Sequence, residues 1–124
     1  MKKFRHGPEE LEMIKFFDYA RAVSNTNPAW NLAYHVPNER KASIQRRITM
    51  ARAGVKAGIP DICIPEANEK YTALYIEMKV KPNKPSPVQT DVIRALNSVG
   101  NYACICWSAD EAIEIATKYL ADKL

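Results

Sequence analysis

Leu11, Ile14 and Phe17, with Met13, Phe16 and Ala20 beside them, recur at the three- and four-residue spacing of a helix face. They predict a helix over 9–23, opened by Pro8 and ended by the polar run Asn25-Thr26-Asn27-Pro28. "WNLAYHV" reads as a strand stopped by Pro37, and 43–56 as a basic helix broken near Gly54 or Gly58. "DICIP" and "TALYIEMKV" read as two strands separated by the polar turn "EANEK". Ser86 and Pro87 supply the cap and first turn of a helix whose apolar positions are Val88, Val92, Leu96 and Val99, ending at Gly100. "YACICW" is a further strand. Ser108 and Glu111 form the pattern of a capping box, before the stripe Ala112, Ile115, Ala116, Tyr119 and Leu120. The predicted order is α-β-α-β-β-α-β-α, an α/β domain with a central mixed sheet flanked by helices.

Composition adds limits. With 124 residues, 47% hydrophobic and 26% charged, the chain suits one globular domain over 1–124. No apolar run is long enough to cross a bilayer, and "MKKFRHGPEE" lacks a signal-peptide core, so a cytoplasmic location without membrane partner is expected. Cys63, Cys104 and Cys106 are odd in number and lie within apolar strand patterns, which predicts reduced, buried thiols. Net charge is +4. It is concentrated in 38–56, where Arg40, Lys41, Arg46, Arg47, Arg52 and Lys56 face only Glu39. Such a run is a solvated helix face or a surface for a phosphate backbone.

The unusual charges are elsewhere. Glu77 and Lys79 are two apart in a strand, so they share a face, with Ala73 and Tyr75 further along it. If "DICIP" forms a hairpin with that strand, Asp61 comes opposite its end. Two converging carboxylates suit a hard divalent cation, with the lysine beside it. An ion pair of Lys79 with Glu77 or Asp61, merely closing the sheet end, is the alternative from spacing alone.

Around these residues the sequence resembles a known family. Gly58-Ile59-Pro60-Asp61 followed by Glu77-Met78-Lys79 looks like the PD-(D/E)XK nuclease signature. The ordered series Glu9, "HVPNER", "GVKAGIPD", "LYIEMK", "PSPVQ" and Gly100 resembles the virus-type replication-repair nuclease (VRR-NUC) domain, in the stand-alone form found in phages. The resemblance implies a restriction-endonuclease-like fold and a metal-dependent DNA endonuclease, acting on branched or junction DNA as a homodimer, without organic cofactor. It implies that Asp61 and Glu77 bind Mg²⁺ or Mn²⁺ with the Met78 backbone carbonyl, that Lys79 is catalytic, and that Gln89 lines the site. A first-helix glutamate completes the set. Counting back from "FFDYA" selects Glu9, with Glu12 and then Glu10 as alternatives. Met13 and Glu39-Arg40 depart from the family pattern.

DNA would be held by Arg40, Lys41, Arg46, Arg47 and Arg52, with Lys81 and Lys84 beyond the lysine strand. His35 is a DNA contact or a hydrogen-bonded structural residue, and His6 is end polarity. Tyr71, Tyr75 and Trp107 are expected to pack rather than stack on bases, and Glu66 and Glu69 to sit on a solvated turn. Two rival functions remain: a nonspecific, restriction-like or flap nuclease, and a DNA-binding module without catalysis.

Overall fold

The computed structural model describes residues 6–37 and 42–124. Its elements run α1 (Pro8–Val23), β1 (Tyr34–His35), α2 (Ile44–Arg52), β2 (Ile62–Ile64), β3 (Leu74–Met78), α3 (Pro87–Ser98), β4 (Tyr102–Cys106) and α4 (Ala109–Leu120). This is the predicted order. The four strands form one sheet in the order β1-β2-β3-β4. β1–β2 and β2–β3 are antiparallel, whereas β3–β4 is parallel and joined by α3.

Strand alternation divides the sheet into two faces. Ile62, Ile64, Leu74, Ile76 and Met78 enter the core with Phe16 and Ala20 of α1 and Ala112, Ala116 and Tyr119 of α4. Within α1 the buried set is Met13, Phe16 and Ala20, while Leu11 and Ile14 are exposed, so the apolar face is narrower than its sequence pattern. No residue of α3 is buried either; Val88 and Val99 stand exposed, and only part of the predicted stripe is covered.

The predicted strand 30–36 is mostly not a strand. Pro28–Leu32 forms a 3-10 turn, capped by Asn27 accepting from Ala29 N at 3.0 Å. Trp30 is buried there against Phe16 and Tyr19, and this packing prevails over the local β pattern. Ser108 Oγ does accept from Glu111 N. The Glu111 carboxylate, however, accepts from Trp107 N at 3.2 Å, one residue earlier than a reciprocal capping box requires. All three cysteines are free thiols, Cys63 and Cys106 buried and Cys104 half-buried.

The segment after α2 leads straight to Asp61, and Gly58 fixes its path. Gly58 has φ +82°, and a Cβ there would lie 2.7 Å from Val88 Cγ1 and 3.0 Å from the Val88 carbonyl carbon and oxygen. The side chain of Val88 can rotate, but the helix backbone cannot yield. Gly58→Ala is expected to cost about 2–4 kcal/mol from left-handed strain and overpacking together. Chemical denaturation would show this; a loss below about 0.5 kcal/mol would mean the loop moves freely from α3.

Candidate active site

Asp61 precedes β2, and β2–β3 pairs Ile62 with Ile76. Antiparallel register extended by one residue sets Asp61 opposite Glu77, as the hairpin argument required. Asp61 Oδ2 accepts from Met78 N at 2.9 Å. Its own carbonyl accepts from Val36 N at 2.7 Å and meets His35 Nδ1 at 3.0 Å, so β1 anchors the same residue.

Glu77 and Lys79 are almost fully buried, 2% and 5% exposed. Their Oε1 and Nζ atoms are 3.6 Å apart, an ion pair beyond hydrogen-bonding reach. Lys79 is held through its backbone, where its N–H donates to the Cys106 carbonyl at 2.9 Å. Glu77 Oε1 accepts instead from Gln89 Nε2 at 2.9 Å, while Oε2 is buried without a hydrogen-bond partner among the described residues. A buried carboxylate oxygen left this way is costly, and its proton affinity responds. Burial, then repulsion from Asp61, pushes the Glu77 carboxyl up to about 8, against the opposing pull of Lys79. Asp61 is also raised, chiefly by burial, although its bond from Met78 N opposes this.

Among the three first-helix acids, Glu9 is the one whose charge acts on both Asp61 and Glu77. Glu10 pairs with His6 at 2.9 Å. Glu12 binds Lys15 at 3.1 Å and accepts from Ala109 N at 3.3 Å, serving the start of α4. Even so, among the described residues no three His, Cys, Asp or Glu side chains are gathered tightly enough to hold a metal ion.

Gln89 is fixed at both ends. Its Oε1 accepts from Ser86 N at 2.9 Å, Ser86 Oγ accepts from Gln89 N at 3.2 Å, and the remaining amide group faces Glu77. This reciprocal capping box was readable as Ser86-x-x-Gln89, a pattern the sequence reading used only for the serine. Gln89→Glu keeps the capping geometry but replaces the donor to Glu77 with a second carboxylate oxygen. It is expected to lower nuclease activity by about 10-fold or more while leaving helix content unchanged. Rates and circular dichroism on the same samples would check this.

Of the other candidates, Arg46, Arg47 and Arg52 lie exposed on α2, and Lys81 and Lys84 lie exposed after β3. Arg40 and Lys41 fall outside the described residues. Tyr71 packs against Tyr102 and Tyr119 at ring separations of 5.1 and 6.4 Å, away from the acids. Tyr75 and Trp107 are half-buried, Glu66 and Glu69 exposed. No helix among the described residues is long and apolar enough to cross a membrane.

A mixed sheet flanked by helices, with two acids and a lysine where its central strands end, defines a nuclease of the PD-(D/E)XK type. The VRR-NUC domain model matches residues 13–110, and the chain belongs to that family. The matched span contains Asp61, Glu77, Lys79 and Gln89 and begins after Glu9. A solved structure described as a VRR_NUC domain protein is similar in fold, with a TM-score of 0.78 and 23% identity over 95% of this chain and 92% of that one. No functionally curated protein matches.

Proposed function

We propose that this nuclease is a Mg²⁺- or Mn²⁺-dependent DNA endonuclease acting on branched substrates, junctions among them. The observation that carries the metal dependence is Glu77, a buried carboxylate with an unpartnered oxygen opposite a second acid. Both acids hold protons more tightly than usual, chiefly because they are buried, and a divalent cation would favour their ionised forms. The donor set is hard oxygen, which suits Mg²⁺ or Mn²⁺ over a thiol-seeking metal.

Asp61 and Glu77 would hold the cation directly. A strand residue directs its N–H and C=O to the same edge, so the Met78 carbonyl faces the Asp61 side, to which its N–H already donates. It is a third donor. Glu9 would act from the helix start as an outer acid. The chemistry supplied by the bound ion is polarisation of the phosphate and activation of a water. Lys79 Nζ would orient an attacking water and offset negative charge at phosphorus. Gln89 holds Glu77 Oε1, leaving Oε2 for ligation.

Arg46, Arg47 and Arg52, with Lys81 and Lys84 and the sequence-expected Arg40 and Lys41, would hold the flanking phosphates. One such site cuts one strand, so opening a junction symmetrically requires a two-fold dimer. Ile44 and Ile48 stand 71% and 56% exposed on α2 and offer apolar surface for that contact. Cleavage of a four-way junction, a flap, a linear duplex and a single strand with Mn²⁺ tests the reading. Branched DNA should be cut at least about 10-fold faster than linear duplex; equal rates would indicate a nonspecific nuclease, and no cleavage of any substrate a binding module.

A further inference from the structure

Beside the acids lies a cleft of about 800 Å³. α2, the 54–59 segment and the chain following β1 wall it, and it shares Asp61 and Gln89 with the acid site. Its volume falls in the range of about 300–1,000 Å³ usual for pockets that enclose a small molecule. That is room for a nucleotide but not for a duplex. Small residues keep it open: Ala51, Gly54, Ala57 and Gly58 follow one another along the wall. Its chemistry is divided. Val36, Met50, Val55 and Ile59 are apolar, whereas Arg47 and Lys56 bring positive charge and make no ion pair with a described residue.

We propose that this cleft receives one unpaired nucleotide adjoining the cut phosphate, so that the enzyme selects DNA in which a base is already out of the stack. The inference rests on the nuclease reading above for the position of the cut. Charge sets the orientation. Arg47 and Lys56, which make no ion pair with a described residue, attract the phosphate. A neutral base is then left to the aliphatic walls. Among the described residues no aromatic side chain lines the cleft, and both ends of the Gln89 amide are already bonded. The cleft therefore has little with which to read base identity, and sequence preference at this position should be weak. Pulling a paired base from duplex costs a few kcal/mol, a cost much reduced for a bulge, flap or single strand, where no base pair is broken. The cleft thereby turns local DNA structure into affinity.

The test uses the full chain in metal-free buffer with EDTA. 2-Aminopurine is placed in a one-nucleotide bulge, or at the same position in a perfect duplex. The bulged probe is expected to change its emission on binding and to bind at least about 10-fold more tightly than the paired one. Ala51→Trp and, independently, Val55→Trp fill the cleft from exposed positions and should abolish both the emission change and the preference, with melting temperature retained. Equal affinity for the two duplexes, or two filled variants that bind the bulge like the parent, would overturn the proposal. Because no metal is present, the result is separate from catalysis. A chain that prefers the bulge yet cuts nothing with Mn²⁺ sinks the nuclease mechanism and supports the cleft. A chain that cuts bulged and perfect duplex alike sinks the cleft and leaves the mechanism standing.

Discussion

Replacing Glu77 by glutamine is expected to stabilise the metal-free protein at pH 8 and at the same time to abolish cleavage. In the fold the Glu77 carboxyl is raised from 4.5 to about 8, by burial first and Asp61 second. Below pH 4.5 both folded and unfolded chains hold the proton, and stability is complete. Between 4.5 and 8 the folded chain binds more protons than the unfolded one, so stability falls as pH rises and levels off above about 8. Asp61, raised in the same direction, adds to this slope. The total is on the order of a few kcal/mol. Glutamine carries no charge to desolvate, and its carbonyl oxygen can still accept from Gln89 Nε2. Thermal melts from pH 5 to 9 in EDTA should show the parent losing stability with pH more steeply than Glu77→Gln, which keeps only the smaller slope from Asp61. Added Mn²⁺ should stabilise the parent at pH 8 and leave the variant unmoved. Parallel pH profiles for the two proteins would contradict the origin assigned to the shift.

Lys79→Met is expected to reduce cleavage by about 10²–10⁴-fold, the range lost with a group that moves or steadies a proton at the reacting centre. Methionine fills most of the space of the lysine stem, so the buried strand end stays packed. The ammonium lost is the one that holds Glu77 down. In the variant Glu77 therefore takes its proton more tightly still. DNA binding without metal should barely change, because a side chain 5% exposed adds little to the surface field. Activity within tenfold of the parent at saturating Mn²⁺ would remove Lys79 from the mechanism.

How much of this was readable in the chain depends on the range of the interaction. The site's centre was readable from neighbouring strands: alternation put Glu77 and Lys79 on one face, and a hairpin joined through 65–73 put Asp61 across from Glu77. Pro28–Leu32 was not local. Its residues have strand character, yet the indole of Trp30 finds its cover on α1, and that contact sets the backbone. Leu11 and Ile14 have helical spacing and still face outward, because α1 meets α4, the 28–32 turn and β3 through Met13, Phe16 and Ala20. Counting back from "FFDYA" already selected Glu9 in the sequence; what only the fold supplies is that Glu10 pairs with His6 and Glu12 serves the start of α4. Likewise, the separation of α3 from β3 could not be inferred from the proline-rich loop, although it decides that Gln89 reaches Glu77.

That last bond links two events usually treated apart. Ser86, Gln89 and Glu77 are joined in series, so the first turn of α3 cannot fray without releasing the buried acid, and a change at the acid is felt at the helix start. Amide hydrogen exchange at Ser86 and Gln89 thus becomes a clock for the acid, running faster whenever Glu77 lets its neighbour go.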